Sequence, residues 1–379
     1  MMDLPLFDDA HRTLHTRLQA GAGRFDRIST QGEAGEVDAA GRAAIQMCAE
    51  LGLCRLLVPR ELGGDGDLRS LCLAREILSS SSGLADAVFA VQGLGSYPIA
   101  LSRNRAMGER YLPAVTGGTA IGAFAITEPG AGSDASALDT RATRDGDGYL
   151  LEGTKVFISN ATIASFFVVF ARTAAGTKRA ISAFVVEAQQ PGVTIVRRQE
   201  MSAPHPIGEL RFERCRVPIE NRLGEEGDGM RLALGTLDFF RTSVGAAACG
   251  LATRALAESL AHARGRRQFG ATIGSFQLTQ AALADMATSL DAARLLVYRA
   301  AWTKDHGAAR VTVEAAMAKL FATEAAQRIV DSAVQIHGGR GVERGSVVER
   351  LYREVRALRI YEGTSEIQRL VIGRHLVDT

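Results

Sequence analysis

Long apolar runs, paired cysteines and an excess of one charge are all missing from this sequence of 379 residues. Apolar residues make up 46% of the chain, but they never continue for the length of a membrane helix. A net charge of +2 gives no field for nucleic acid or anionic lipid. Five cysteines without a Cys-x-x-Cys pair argue against structural zinc and for a reducing compartment. No basic segment precedes an apolar one at the start. We therefore expect a soluble, cytoplasmic protein with no metal and no membrane or nucleic-acid partner.

Two nucleotide-binding patterns are missing as well. The sequence has no Walker glycine-lysine loop, and the glycines near residue 21 do not follow a strand. A Rossmann dinucleotide-binding unit is therefore not supported.

The composition along the chain changes twice, which indicates three domains. Helical spacing of Ala, Leu, Arg and Glu gives way near residue 118 to β-branched and aromatic runs, with an Asp-Gly-Asp-Gly turn at residues 145–148. From residue 230 onward two long helices are predicted from apolar faces that run from Met286 to Ala300 and from Ala318 to Ile336. The predicted domains are a helical domain at 1–118, a β domain at 119–225 and a helical bundle at 226–379.

The most informative short segment lies near the C-terminus, where Tyr361, Glu362, Gly363 and Thr364 follow one another. A carboxylate pressed against an aromatic face loses hydration, which raises its pKa and makes it a base near neutral pH. Gly363 lets a ligand approach the backbone, and Thr364 and Ser365 are good N-cap residues for a final helix. For the isolated motif, a surface turn with a solvated glutamate is the better interpretation. The rest of the chain favours the base.

Two segments of the predicted β region have residues suited to a ligand. Thr127, Gly130, Gly132 and Ser133 place hydroxyls beside a backbone that can wrap a heterocycle, a carbonyl or a phosphate. The strand at 155–160 has an aromatic residue and a hydroxyl on one face. Taken alone, the glycine loop modestly favours a ligand over an ordinary Pro-Gly turn. For residues 155–160 alone, a half-buried strand is the better interpretation.

Two segments of the predicted bundle also suit a phosphate-bearing ligand. Arg266 and Arg267 stand beside a glycine, and guanidinium groups bind pyrophosphate oxygens in pairs, although a solvated basic helix end is common. Residues 335–341 contain three glycines where a helix end needs one. His337 in that segment is interpreted as a lone structural histidine. Asp238 and Arg241 are spaced as in a plain surface ion pair.

Taken together, these residues resemble the acyl-CoA dehydrogenase family. The resemblance extends from about residue 41 to 376. It includes Thr-Glu-Pro-Gly-Ala-Gly-Ser-Asp at 127–134, Arg-Gln-Phe-Gly at 267–270, Gln-x-x-Gly-Gly at 335–339 and Tyr-Glu-Gly-Thr at 361–364. The motifs follow the family's order and spacing. The resemblance implies a mostly helical α+β fold: an N-terminal helical domain, a middle β-barrel-like domain and a C-terminal four-helix bundle.

The resemblance also implies roles for individual residues. Glu362 would be the catalytic base. The implied contacts to FAD are Phe124, Ile126, Thr127, Gly132, Ser133, Phe157, Ile158, Ser159, Arg267, Gln268, Phe269, Gln335, Gly338, Gly339, Thr364 and Glu366. The implied contacts to the acyl-CoA are Ser133, Asp238, Arg241 and Gly363. Because Arg267 and residues 335–339 would reach the FAD of a neighbouring subunit, a homotetramer built as a dimer of dimers is implied.

The implied reaction is an α,β-dehydrogenation of an acyl thioester. Glu362 removes the α-proton while the β-hydride moves to flavin N5, and the Glu362 N–H and a ribityl hydroxyl hold the thioester oxygen. Electrons would then pass to an electron-transferring flavoprotein. Some branches of the family have the base just before the residue that matches Arg241. That position is Phe240 here, which leaves Glu362 as the candidate.

Several alternatives stay open at this point. Residues 203–207 replace the family's Ser-x-Thr, and the predicted acyl-pocket helix near residues 91–97 does not define chain length. The substrate could therefore be carried by CoA or by an acyl-carrier protein, with a straight, branched or cyclic acyl group. A flavin oxidase or monooxygenase of the same fold is a second hypothesis, and a non-catalytic acyl-CoA-binding protein is the least favoured.

Overall fold

The computed structural model describes residues 1–173 and 180–378, which form two compact units. Unit 1 comprises Met1–Asp26, Leu68–Asp86 and Arg241–Thr379, and unit 2 comprises Arg27–Asp67 and Ala87–Phe240. Residue 379, the end of the third predicted domain, lies outside the described residues. The domain boundaries predicted from the sequence remain a prediction.

Six helices occupy the first third of the chain. They are α1 (Asp9–Gly21), α2 (Asp26–Glu33), α3 (Val37–Glu50), α4 (Leu68–Ser81), α5 (Gly83–Ser102) and α6 (Arg105–Thr116). Asp8 caps α1 through bonds to the amides of Ala10 and His11, and Asn104 caps α6 through the amide of Met107. Asp and Asn favour these positions because their short side chains accept the free amides of a first helical turn.

Eight strands form one mixed sheet. They are β1 (Gly122–Ala125), β2 (Arg141–Asp145), β3 (Gly148–Ser159), β4 (Phe166–Arg172), β5 (Ile181–Glu187), β6 (Val193–Arg198), β7 (Ile207–Pro218) and β8 (Arg222–Leu223). The order is β6-β7-β3-β2-β4-β5-β8, and β1 pairs with β4 in parallel. Asp145 pairs with Gly148 in the β2–β3 hairpin, with Gly146 at a φ of +57°, which confirms the predicted turn.

Strands β4 and β5 of the unit 2 sheet are buried on both faces. Phe166, Val168 and Phe170 of β4 pack in a core shared with α6, whereas Phe167 and Val169 pack in a second core. The second core also receives side chains of β2, β3, β5 and β7, so one face of the sheet closes around it. Continuous apolar strands are expected where both faces are covered.

The rest of the chain is mainly helical. The elements are α7 (Gly229–Gly265), the short hairpin β9 (Arg267–Gln268) and β10 (Ala271–Thr272), α8 (Gln277–Asp305), α9 (Thr312–His337), α10 (Val347–Val355) and α11 (Ser365–Asp378). In unit 1, α9 packs against α8, α10 and α11, while α4 packs against α8 and α1. The predicted apolar faces of α8 and α9 are buried apart from Ile336, which is half-buried. Alanine on these faces allows close approach of the helices.

Among the described helices, α5 has the length and mean hydropathy of a membrane-spanning helix. Within that apolar window, 72% is buried inside the chain. Core helices of globular proteins commonly have the same composition.

Candidate active site

The turn that bears Glu362 is held by side chains from three helices of unit 1. Lys319 on α9 donates from Nζ to the Gly363 carbonyl at 2.7 Å. Gln368 on α11 donates from Nε2 to the carbonyls of Gly363 at 2.9 Å and Glu362 at 3.3 Å. Arg241 on α7 lies with Nε at 3.5 Å from the Glu362 carbonyl. The backbone at Glu362 is therefore fixed from several directions.

Glu362 itself has an unusual conformation. Its φ is +52°, in the left-handed region that is costly for a residue with a Cβ, and Gly363 follows at +91°. A strained residue persists only where the surrounding structure requires it, and such residues cluster at functional sites. The sequence predicted glycine here for ligand approach, but the positive φ gives Gly363 a second reason to be glycine.

The carboxyl group of Glu362 is desolvated. Its Oε2 atom is buried and has no hydrogen-bond partner within the described residues. Burial raises the pKa of Glu362, and the cations of Arg75, Lys319 and Arg241 oppose that rise. The sequence predicted the desolvation. It gave no indication of the cations from α4 and α9.

Lys319 is a fully buried lysine in this site. Burial lowers the pKa of Lys319 to about 8, against the opposing influence of Glu362. A lysine on the alanine-rich face of α9 carries no sequence signal for contact with a turn 44 residues later. The sequence marks Lys319 only as a charged residue among the apolar residues of this helix.

Helix α11 begins directly after the turn that bears Glu362. Thr364 Oγ1 accepts the amide of Ile367 at 3.3 Å, so Thr364 caps this helix. Ser365 lies inside the helix and donates to Glu324 Oε1 at 2.7 Å. Glu366 is exposed in the first turn.

In unit 2, the glycine loop and β3 are joined. The Thr127 carbonyl accepts the amide of Val156 at 2.9 Å, next to Phe157. Glu128, which the sequence argument did not single out, accepts Lys155 Nζ at 2.7 Å and the Thr140 amide at 3.0 Å. The loop is thus anchored on β3 by a buried ion pair.

The glycines of this loop have no role within the described chain. Neither Gly130 nor Gly132 has a positive φ. A Cβ at either position would meet no described atom within 4 Å. The described chain therefore leaves the backbone at both glycines open. Phe124 and Ile126 pack against the core shared with α6, and Ser133 is exposed.

The three candidate residues at the end of β3 differ in what they offer a ligand. Phe157 has a φ of +55° and a ring 56% exposed, and its amide donates to Gln199 Oε1 at 3.0 Å. Ile158 points into the second core, so only its backbone is available to a ligand. Ser159 Oγ is 2.7 Å from His205 Nε2. Burial lowers the pKa of His205 to about 4, so that imidazole is neutral.

The hairpin β9–β10 of unit 1 exposes an aromatic ring. Phe269, at its tip, is 96% exposed with a φ of +50°. Arg267 Nη2 donates to the Gly270 carbonyl at 2.9 Å, and Gln268 is exposed. A single exposed ring is common on protein surfaces, so contact of Phe269 with a cofactor stays a prediction.

The glycine-rich end of α9 is only partly explained by a ligand. Gly338 has φ +61° and ψ −137°, a conformation open essentially to glycine. A Cβ at Gly341 would meet the Val334 carbonyl at 2.3 Å. Gly339 has neither constraint, and the contacts of Gly338 and Gly339 with a ligand stay predictions. Gln335 is exposed. His337 is not alone, since it stacks on His262 with ring centroids 4.3 Å apart.

The two acyl-CoA candidates on α7 differ in burial. Arg241 is 6% exposed, so the surface ion pair expected from the spacing is wrong for this residue. Asp238 is half-buried. Phe240 is fully buried, and its ring lies where a Cβ on Gly93 would come within 2.4 Å. The position of the alternative base is therefore a packed aromatic side chain.

Comparison with known proteins identifies the family of this chain. Three domain families match in sequence: the acyl-CoA dehydrogenase N-terminal domain over residues 12–119, the middle domain over 123–215 and the C-terminal domain over 227–377. This chain belongs to the acyl-CoA dehydrogenase family. The family consists of oxidoreductases that depend on FAD.

Members of the family with assigned activities match nearly the whole chain. The mitochondrial short-chain specific acyl-CoA dehydrogenase of Homo sapiens is 42% identical over 340 residues, covering 88% of this chain and 82% of that protein. Cyclohexane-1-carbonyl-CoA dehydrogenase of Geobacter metallireducens is 36% identical over 351 residues, covering 91% and 92%. The solved structure of butyryl-CoA dehydrogenase from Megasphaera elsdenii has a TM-score of 0.91 at 35% identity, covering 99% and 100%. The predicted family and fold class are confirmed.

Two further solved structures bear on cofactor and carrier. The FAD complex of PigA has a TM-score of 0.91 at 27% identity and covers 99% of both chains. The prolyl acyl carrier protein oxidase AnaB has a TM-score of 0.90 at 32% identity and covers 98% and 99%. The fold thus includes an oxidase of a carrier-protein substrate as well as dehydrogenases of acyl-CoA.

Proposed function

We propose that this protein catalyses the FAD-dependent α,β-dehydrogenation of an acyl thioester, with Glu362 as the base. The observation that carries the proposal is the buried, unpartnered Oε2 of Glu362 on a strained turn held by Lys319 and Gln368. A surface turn with a solvated glutamate would show none of these features. Membership of the acyl-CoA dehydrogenase family supports the reaction class.

The residues present fit FAD. Gly130 and Gly132 leave the backbone of their loop open to a flat ligand. Phe157 on β3 follows the residue whose amide bonds to the Thr127 carbonyl, and its ring is exposed. Arg267 suits a pyrophosphate, and Phe269 offers a second exposed ring. FAD, when bound, supplies the acceptor for the β-hydride. The residues proposed to hold it are those that the family resemblance implies.

The chain's own part in the reaction is proton transfer and charge stabilisation. Glu362 must be ionised to accept the α-proton, and the cations of Arg75, Arg241 and Lys319 favour that form while burial makes it basic. Loss of the α-proton puts negative charge on the thioester oxygen, and the Glu362 N–H is proposed to donate to it. The products are the 2-enoyl thioester and a protonated Glu362, and the cofactor would take the β-hydride with its two electrons.

The proposal includes partners. Ser133, Asp238, Arg241 and Gly363 are proposed to contact the acyl-CoA. The electrons are proposed to pass to an electron-transferring flavoprotein in the cytoplasm. A homotetramer built as a dimer of dimers is proposed because Phe269 and Arg267 project from a hairpin into solvent, where a second copy of the chain can receive them.

The decisive experiment is anaerobic mixing of the purified yellow protein with a panel of acyl thioesters. Short, branched, cyclic and aromatic acyl groups are each tested on CoA and on an acyl-carrier protein. We expect loss of the oxidised-flavin absorbance with at least one of them and formation of the 2-enoyl thioester. Retention of that absorbance with every member of the panel would refute the reaction.

A second candidate function is oxidation of a carrier-bound acyl group with oxygen as acceptor. The similarity to AnaB favours it. Rapid oxygen consumption without an added acceptor, together with a preference for the carrier-protein substrate, would support this candidate over the dehydrogenase. A protein that purifies colourless would instead indicate a non-catalytic acyl-CoA-binding protein.

A further inference from the structure

A buried arginine on α4 has its guanidinium nitrogens fully engaged. Nε and Nη2 of Arg75 donate to the two carboxylate oxygens of Asp86 at 2.9 and 2.8 Å, and Nη1 donates to Ser243 Oγ at 2.9 Å. The Arg75 and Asp86 side chains are 1% and 5% exposed. A buried ion pair gains little over an apolar pair of the same size, because desolvation consumes the attraction. Such a pair therefore suggests a role other than stability.

The position of this pair points to that role. Ser243, which accepts Arg75 Nη1, lies on α7 two residues after Arg241, whose Nε is 3.5 Å from the Glu362 carbonyl. Among the cations that oppose the effect of burial on the pKa of Glu362, Arg75 has a larger influence than Lys319 or Arg241. Asp86 acts on the pKa of Glu362 in the opposite sense, and less strongly than Arg75.

The charged and titratable groups that act on Glu362 come from every element around it in unit 1. They are Arg75 on α4, Asp86 on α5, Arg241 on α7, Lys319 on α9 and the neighbouring Tyr361. Arg241 and Lys319 also hold backbone carbonyls of the turn. Arg75 is the cation whose hydrogen bonds go to side chains only, so its contribution can be removed without releasing those carbonyls.

We propose that the Arg75–Asp86 ion pair is the positioning device of the base. Through Ser243 the pair fixes α7 beside Arg241 and brings a fixed cation to Glu362, while Asp86 fixes the guanidinium and offsets part of its charge. The pair thereby favours the ionised form of Glu362 against the effect of burial and holds the turn in one arrangement. This inference rests on the proposed function, because it concerns the residue that takes the proton.

Two variants of the pair should move the pH profile in opposite directions. In Asp86→Asn the Arg75 charge is no longer offset, so the carboxylate of Glu362 is favoured and the acidic limb of flavin reduction moves to lower pH. In Arg75→Met/Asp86→Leu the larger influence of Arg75 is lost, so the limb moves to higher pH. Both should also reduce flavin more slowly at the plateau, by about tenfold or more, because a loosened base spends less time in reactive geometry.

A matched control is available on the same helix. Glu76 forms another buried ion pair, with Arg294 at 2.7 Å, and also accepts the Tyr298 hydroxyl at 2.7 Å. Glu76→Gln should lower stability but leave the acidic limb unchanged. If the control moves the limb as far as the pair variants do, or if the two pair variants move it in the same direction, the pair is merely structural and the proposal is wrong.

A second measurement separates this inference from the proposed reaction. Infrared titration of the FAD-loaded protein without substrate follows the protonated carboxyl of Glu362, which is identified by its loss in Glu362→Gln. Opposite shifts of this titration in the two variants support the inference even if no thioester reduces the flavin. If the double variant does not fold, the nearly isosteric Asp86→Asn decides alone, and a titration that fails to move to lower pH overturns the proposal.

Discussion

Replacing Lys319 by Met separates the two effects of that residue on the site. Methionine has a similar length but neither the charge nor the hydrogen bond to the Gly363 carbonyl at 2.7 Å. The turn would lose one of its two strong attachments, and misplacement of a catalytic group by about 1 Å can cost about a hundredfold in rate. We expect flavin reduction to be at least about tenfold slower. Loss of this cation also shifts the acidic limb to higher pH, because Lys319 opposes the rise in the pKa of Glu362.

The effect on stability depends on pH and has a definite sign. The pKa of Lys319 is lowered by burial from 10.5 to about 8. Between these values the unfolded chain holds a proton that the folded chain has released, so the free energy of unfolding of the parent rises with pH. At 1.36 kcal/mol per unit, the rise for this one group is about 3 kcal/mol. The methionine variant lacks the rise.

Urea denaturation of parent and variant at several pH values between 7 and 10.5 isolates this contribution, because all other groups are shared. The free energy of unfolding of the parent should increase relative to that of the variant as pH increases. The chain contains only four lysines, so NMR of ¹³C-labelled lysine provides a direct check through the resonance that Lys319→Met removes. A resonance that titrates at the ordinary lysine value, or a stability difference that is flat with pH, would refute the reasoning.

Three further predictions concern the proposed cofactor site and its support. Arg267→Ala should weaken both FAD retention and subunit assembly, and full FAD content with full assembly at low protein concentration would disprove the cross-subunit role. Ser133→Ala should leave the protein folded and yellow but weaken flavin or thioester binding, measured by titration, whereas loss of folding would show that the serine is structural. Glu128→Gln should destabilise the protein by about 3–5 kcal/mol, because it leaves the Lys155 ammonium buried without its carboxylate, and an unchanged denaturation midpoint would contradict this.

The elements that the sequence predicted best are those with a local signal. The β-branched and aromatic runs after residue 118 predict the β region, and the two cores that receive alternate residues of β4 explain why its apolar pattern does not alternate. The Asp-Gly turn at Gly146 can be predicted from its own residues alone. The face of α8 from Met286 to Ala300 follows from helical spacing.

The site could be predicted only in part, because its charges come from distant segments. Arg75 lies on a helix that is buried on nearly every side, so no amphipathic pattern marks it as special. Asp86 sits near the start of a long apolar helix, where an acid is ordinarily explained by the helix dipole. His262 lies far from His337 in sequence, so their stacking gave no signal either. Only Glu362 stood out, because its neighbours in sequence define a recognisable turn.

The central claim is that Glu362 takes the α-proton, and Glu362→Gln tests it most directly. Glutamine keeps the shape of the side chain but cannot accept the proton. Anaerobic stopped-flow mixing with the best thioester measures flavin reduction. The control is Glu349→Gln on α10, which alters the ion pair between Glu349 and Arg353. The account predicts a variant that is folded, binds FAD and product-like acyl-CoA, and reduces its flavin at least about a thousandfold more slowly than the parent. Reduction within about tenfold of the parent would contradict the claim.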